Sequence, residues 1–258
     1  MPDILDALAR NAWEEVRGGY YRVCEVSSVR PIGLREHVLR HRGRAIITEI
    51  KGASPSAGVI RSDFAHEAIA GAMVRGGAVA ISVLTAKERF GGSLKAFRKV
   101  REALRVPLLM KDFIVSPQQV EAASRLGADA VLLIQALFDR GHCEAGVEEM
   151  IALTHSKGLE VLLEAHTDEE YLSSMKTDAD LIGINNRDLT TFRVDIGTTR
   201  RILGHCGSNG RLVVSESGID RPEDVRDLRS AGVDAFLIGS SIMRAEDVEG
   251  KVREFAMS

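Results

Sequence analysis

Apolar residues along this chain fall into short dense runs, separated by stretches in which they recur every three or four positions. The runs cover residues 45–50, 79–84, 107–110, 130–134, 160–163, 181–184, 212–214 and 235–238, eight in all. Each is rich in Val, Ile and Leu and apolar at nearly every position, which is the pattern of a strand covered on both faces. The stretches between them read as helices. Residues 144–157 place Val147, Met150, Ile151 and Thr154 on one face. Ser116-Pro117 reads as an N-cap followed by proline at the first helical position. Thr167-x-x-Glu170 and Asp220-x-x-Glu223 read as capping boxes, the second with Asp as the cap. Strand and helix alternating eight times predict a parallel sheet with right-handed crossovers, and eight strands let that sheet close. The expected fold is α/β, a (β/α)8 TIM barrel.

An internal repeat points the same way. Gly77-Ala-Val-Ala-Ile-Ser-Val, Gly127-Ala-Asp-Ala-Val-Leu-Leu and Gly232-Val-Asp-Ala-Phe-Leu-Ile share one pattern, and Asp178-Ala-Asp-Leu-Ile-Gly-Ile is a fainter copy. From Val79 to Asp129 is 50 residues, to Asp180 a further 51 and to Asp234 a further 54. The copies mark strands two, four, six and eight, so one period holds two strand–helix units. Residues 1–44 precede the first strand, with helices expected over 4–16 and 34–42. They read as an N-terminal helical extension packed on the barrel, so that 1–258 form one domain. The basic run over 35–44 reads as a solvated helix face.

Composition narrows the picture. A chain of 258 residues is the usual size of an α/β barrel, and 45% apolar with 28% charged residues excludes a disordered chain. A net charge of −3 argues against nucleic acid as a partner. No apolar run approaches the ~20 residues of a membrane span. The N-terminal stretch lacks the basic start and apolar centre of a secretory signal. Cys24, Cys143 and Cys206 fit neither a zinc spacing nor a disulfide framework. A cytoplasmic location is therefore expected. His166 has no second ligand at metal spacing, so no metal site is expected, and no nucleotide motif or nucleophile elbow is present.

The candidate chemistry lies where the apolar runs end. The first ends in Glu49-Ile-Lys51, the third in Lys111-Asp112, the fifth in Glu164, the sixth in Asn185-Asn186-Arg187 and the seventh in Ser215-Glu216-Ser217-Gly218. In a closed parallel barrel these ends share one mouth, where barrel active sites sit. Glu49 and Lys51 are two apart and share a face. Strands of odd number thus supply Glu49, Lys51, Lys111, Glu164 and Glu216 to one layer, an ensemble suited to general acid–base catalysis. Ser217-Gly218 and Gly239-Ser240 follow strands seven and eight, the usual phosphate position of such barrels. The hydroxyl-rich stretch Gly52-Ala-Ser54-Pro55-Ser56-Ala57-Gly58 reads either as a loop closing over that phosphate or as a long turn.

Ordered motif blocks resemble those of the indole-3-glycerol phosphate synthase family over about residues 45–247. They are Glu49-Ile-Lys51-Gly-Ala-Ser54-Pro55-Ser56, Ile81-Ser-Val-Leu-Thr85 with Phe90-Gly-Gly-Ser93, Lys111-Asp112-Phe113-Ile114, Gly183-Ile-Asn185-Asn186-Arg187-Asp-Leu189, Ser215-Glu216-Ser217-Gly218-Ile219 and Phe236-Leu-Ile-Gly239-Ser240-Ser-Ile-Met243-Arg244. The resemblance implies ring closure, decarboxylation and dehydration of 1-(2-carboxyphenylamino)-1-deoxyribulose 5-phosphate to indole-3-glycerol phosphate, without metal or other cofactor. It implies Lys111 as the general acid, Glu164 as a carboxylate of the dehydration and Lys51 as the holder of the substrate carboxylate. Glu49 and Asn185 are implied as orienting partners and Glu216 as a substrate contact. Ser54, Gly218, Gly239 and Ser240 would meet the phosphate, Phe90 and Phe113 would wall the anthranilate ring, and Arg187 would contact substrate, with Ser217 a further substrate-binding candidate. A monomer is expected, with enzymes of the tryptophan pathway as candidate partners. The family often carries Lys after Ser-Pro-Ser where this chain has Ala57, and residues 17–30 match only loosely. Two other readings are another phosphosugar barrel enzyme, such as phosphoribosylanthranilate isomerase, and a silent barrel that binds a partner enzyme. Lys111, Glu164 and Asn185 together speak against both.

Overall fold

Eight parallel strands close on themselves in sequence order. In this computed structural model, which describes residues 3–54, 58–62, 64–88 and 90–258, they are β1 (Ala45–Ile50), β2 (Ala80–Leu84), β3 (Leu108–Lys111), β4 (Ala130–Ile134), β5 (Glu160–Ala165), β6 (Leu181–Asn185), β7 (Val213–Glu216) and β8 (Ala235–Ile238). β8 returns to pair with β1, Ala45 opposite Ala235. The runs chosen for β1, β4 and β8 match to the residue. β5 and β7 extend further than their apolar runs, because Glu164 and Glu216 continue the ladder opposite Ile134 and Asn185. Two-sided burial explains the near-continuous apolarity. One face fills the barrel and the other meets the surrounding helices.

The helices are α1 (Ile4–Arg17), α2 (Leu34–Arg40), α3 (His66–Gly76), α4 (Leu94–Ala103), α5 (Pro117–Leu126), α6 (Gln135–Asp139), α7 (Val147–Ser156), α8 (Asp168–Ser174), α9 (Gly197–Cys206), α10 (Pro222–Ser230), α11 (Ser240–Arg244) and α12 (Val248–Ala256). Ser116 caps α5 as expected, with Gln119 closing the box. Two caps differ from expectation. Thr167 accepts the Glu170 N–H, but the Glu170 carboxylate takes the N–H of His166 instead. At α10 the cap is Arg221, and Asp224 accepts its N–H and that of Asp220. Proline at the first helical position moves the start one residue on.

The repeat acquires a physical cause at the N-terminal end of the barrel. Asp129, Asp180 and Asp234 each stand one step before or at the edge of an even strand. Each carboxylate accepts a backbone N–H at the start of the preceding odd strand: Leu108, Val161 and Val213 respectively, at 2.6–2.8 Å. In the first quarter Val79 holds the equivalent place. Gly77 and Gly127 end α3 and α5 in left-handed conformation, which glycine adopts without steric cost.

The extension runs from the mouth to the base. The apolar face of α1 is buried, and Trp13 donates to the carbonyl of His142 at 2.8 Å. Arg140 reaches Asp3 and Asp6. Tyr20 and Tyr21 meet the loops after β2 and β3. The chain then descends, with Ser27 bonded to Arg125 and Ile32 to Asp129. α2 lies at the base, where the N–H of Arg35 meets Glu160 and Arg42 pairs with Asp234.

Candidate active site

The C-terminal ends of the strands surround two adjoining clefts. One, of about 630 Å³, is largely apolar, and the other, of about 380 Å³, is lined by Gly218, Gly239 and Ser240. Glu49, Lys51, Lys111, Arg187 and Ser217 line both, so the charged residues stand at the junction.

Lys111, the last residue of β3, sends its ammonium between two carboxylates. Its Nζ lies 3.2 Å from Glu164 and 3.0 Å from Glu216. Burial works against the charge, but Glu216, Glu164 and Glu49 outweigh it, so the ammonium is held protonated well above the usual lysine range. Asn185 donates to the other oxygen of Glu164 at 2.9 Å and accepts the N–H of Arg187. Lys51 pairs with Glu49. Burial of Glu49 is overcome by Lys51 and Lys111, which lower its pKa. Glu216 differs. Burial pushes its carboxyl up to about 7 against the pull of Lys111, with Glu164 adding to the rise. Its Oε1 is buried without a hydrogen-bond partner among the described residues.

Two glycines make room for this cluster. A Cβ on Gly183, which faces Glu164 in the β5–β6 register, would collide with Oε1 of Glu216. A Cβ on Gly239 would come within 2.7 Å of Glu49 Oε1 and 3.0 Å of Lys51 Nζ. The expected odd-strand layer thus forms, and Asn185 joins it from an even strand.

The apolar cleft is walled by Phe90 and Phe113, whose rings are 5.4 Å apart, with Leu84, Leu132, Ile134, Leu189 and Phe192. Arg187 donates to the carbonyl of Phe192, which has a left-handed φ of 61°. Backbone strain of this kind in a non-glycine residue persists only where surroundings enforce it. In the second cleft Ser217 and Gly218 are both left-handed, with φ of 68° and 77°. Ser241 ties the loop after β8 to that after β7 through the carbonyl of Ile219. The side chain of Ser54 and residues Pro55, Ser56 and Ala57 lie outside the described residues. His166 is engaged by the carbonyl of Asn185 at 2.6 Å, as a satisfied histidine.

Sequence reasoning passed over part of this lining. Leu132 and Ile134 could have been found by alternation along β4. Asp112 also lines the apolar cleft, at a strand end where the sequence alone assigns it no role. Phe192 sits in a loop, and no local pattern announces it. Chemically, the junction can deliver a proton from a braced ammonium, receive one on a nearby carboxylate and hold an anion at either side.

Comparisons with known proteins agree with this architecture. The family model described as indole-3-glycerol phosphate synthase matches residues 22–255. An indole-3-glycerol phosphate synthase of Carboxydothermus hydrogenoformans is 41% identical over 91% of this chain and 88% of its own. One of Dehalococcoides mccartyi is 43% identical over 84% and 83% respectively. Among solved structures, an N-acetylmannosamine-6-phosphate 2-epimerase from Clostridium perfringens superposes with a TM-score of 0.63 at 16% identity, covering 87% of this chain and 97% of that one. A thiamine phosphate pyrophosphorylase from Pyrococcus furiosus gives 0.60 at 21%, over 85% and 96%. Those two likenesses concern the fold alone.

Proposed function

The chain belongs to the indole-3-glycerol phosphate synthase family, and on that premise we propose that the two clefts hold the two ends of 1-(2-carboxyphenylamino)-1-deoxyribulose 5-phosphate while Lys111 drives ring closure between them. The observation that carries this reading is the Lys111 ammonium braced by Glu164 and Glu216 where an apolar and a polar cleft meet.

The anthranilate ring packs between Phe90 and Phe113 in the apolar cleft, and the phosphate takes the loops Ser217-Gly218 and Gly239-Ser240, the usual position in such barrels. The sugar carbonyl then lies at the junction. Lys111 protonates its oxygen as the ring carbon bearing the carboxylate attacks the carbonyl carbon. The forming alkoxide becomes a hydroxyl, with no free oxyanion built up. Lys51, oriented by Glu49, holds the substrate carboxylate, and the apolar wall favours loss of carbon dioxide from that carbon. The electron pair released restores the ring. Dehydration follows: the hydroxyl leaves as water with a proton from a lysine, and Glu164, oriented by Asn185, takes the proton from the neighbouring ring carbon, whose C–H electron pair becomes the new C=C bond. Arg187, shared by both clefts, contacts the substrate, and Glu216 contacts its sugar hydroxyls. Ser54 adds a phosphate contact from the loop after β1. No step calls on a cofactor.

The same reading makes the protein a cytoplasmic monomer within tryptophan biosynthesis, formed of one domain. No helix among the described residues is long and apolar enough to cross a membrane. The test is steady-state turnover, followed by the fluorescence of indole-3-glycerol phosphate appearing from the carboxyphenylamino substrate. Absence of product from well-folded protein overturns the reading. Binding without turnover revives the silent barrel.

A further inference from the structure

Asp112 is buried between two residues that line the apolar cleft, Lys111 and Phe113. Its Oδ1 accepts the Phe113 N–H at 2.8 Å. Its Oδ2 accepts two hydroxyls, Thr85 Oγ1 at 2.6 Å from the loop after β2 and Tyr21 Oη at 2.9 Å from the N-terminal extension. The rest of this turn is already tied. Thr85 donates its N–H to the carbonyl of Lys111, and Gln119 donates to the carbonyl of Phe113. The carboxylate of Asp112 is therefore what joins the proton-bearing residue, the ring wall and the extension. We propose that Asp112, held by Tyr21, is a positioning residue that sets Lys111 and Phe113 for the reaction, so that the extension is part of the catalytic apparatus.

The 111–113 turn acts on the site through lever arms. Lys111 meets Glu164 and Glu216 at 3.2 and 3.0 Å through a long side chain, and Phe113 stands 5.4 Å from Phe90. A small rotation of the 111–113 turn moves the ammonium and the ring together. A misplacement of about 1 Å at a reacting group costs up to about 10²-fold in rate. Tyr20 adds a second tie on the same side. It donates to the carbonyl of Thr85 and accepts the Leu94 N–H, and so fixes both ends of the loop that carries Phe90. The two tyrosine rings pack edge to face at 4.9 Å. The fold can survive loss of the carboxylate, because each hydroxyl has another acceptor: Tyr21 also reaches Glu15 at 3.1 Å, and Thr85 also reaches the carbonyl of Lys111 at 3.3 Å.

The inference rests on the proposed reaction, and the test separates the two. Asp112→Ala, Tyr21→Phe and the double variant are compared with wild type and with Asp180→Ala, a control at the opposite end of the barrel. Asp112→Ala is expected to lower kcat per folded molecule at least tenfold with KM within threefold. Tyr21→Phe should lower kcat three- to tenfold, and the double variant should be no worse than Asp112→Ala. Asp180→Ala should lose thermal stability at unchanged kcat. Changes of kcat under threefold in Asp112→Ala, a loss confined to KM, or effects that multiply in the double variant overturn the positioning role. If Asp112→Ala fails to fold, Tyr21→Phe decides, and a kcat within twofold of wild type refutes the role. A folded wild type without turnover overturns the reaction and this inference together. A wild type that turns over alongside unimpaired variants overturns the inference alone.

Discussion

The two ends of the barrel put buried acids to opposite uses. At the base, Asp129 accepts the N–H groups of Ile32 and Leu108 and faces the Arg101 guanidinium at 2.7 Å, while Asp234 binds the N–H of Val213 and Arg42. These carboxylates are met mainly by fixed backbone donors and planar arginines, and they staple neighbouring strands. At the mouth, Glu164 and Glu216 share one flexible lysine, and Glu216 keeps an oxygen with no partner among the described residues. Incomplete satisfaction is costly in a buried site, but it leaves acceptors and a proton free to engage something else. The base is not without loose ends, since Arg101 Nε is also buried and unpartnered. The rest of that guanidinium, however, is bound to Asp129 and to the carbonyls of Leu104 and Val106, whereas Glu216 stands beside Lys111 where the two clefts meet.

The largest effect separating the ends is expected from Lys111→Ala. It removes the cation common to Glu164 and Glu216, and turnover should fall by roughly 10²–10⁴, the usual worth of a positioned proton donor. A loss below tenfold in steady-state assays would remove Lys111 from its assigned role. The counterpart at the base is Asp129→Ala. It strands Arg101, which is 1% exposed, and frees two N–H groups. Breaking a buried pair in this way costs about 3–5 kcal/mol. Denaturant unfolding should show that loss, with kcat per folded molecule within twofold of wild type. A fall in kcat would mean that base and mouth are coupled.

The contrast also shows why the chain is legible in places and opaque in others. Residues 45–50, 130–134 and 235–238 are readable as strands because burial on both faces leaves apolar side chains at nearly every position. Glu164 and Glu216 broke the apolar run and hid the ends of β5 and β7, although those same charges marked the mouth. The spacing of Asp129, Asp180 and Asp234 was visible, but its reason was not, since each acid clamps a strand 19–21 residues away. Lys111, Glu164 and Asn185 could be gathered by strand parity and position. The link of Tyr21 to Asp112 spans 91 residues and leaves no periodic trace. Phe192 reached the cleft through a strained loop conformation that composition does not encode.

The next effect sharpens the comparison through pH. Glu216 has a folded-state pKa raised to about 7 from an ordinary 4.5. The folded protein therefore holds this proton when the unfolded chain has released it, and stability attributable to it declines as pH rises from about 5 to about 8. Glu216→Gln abolishes the titration. Relative to that variant, wild type should lose up to about 3 kcal/mol across this window. Unfolding free energies that run parallel from pH 5 to 8 would show that Glu216 is ionised throughout.

The smallest expected effect asks whether a single methyl group at each end acts differently. Gly183→Ala places a Cβ where Glu216 Oε1 lies, beside the Cα of Glu164 at 3.4 Å. Overpacking of this kind costs about 1–3 kcal/mol. Here the group pushed aside is a carboxylate that braces Lys111, so kcat should fall about tenfold along with stability, the ~1.4 kcal/mol equivalent in barrier height. Gly127→Ala at the base meets Ser27 Oγ at 2.5 Å and forces a left-handed φ of 79° on a residue with a side chain. That substitution should lower stability by a similar amount and leave kcat unchanged. Equal falls in kcat for the two variants would mean that activity merely follows stability. A fall confined to Gly183→Ala would tie it to the displaced carboxylate.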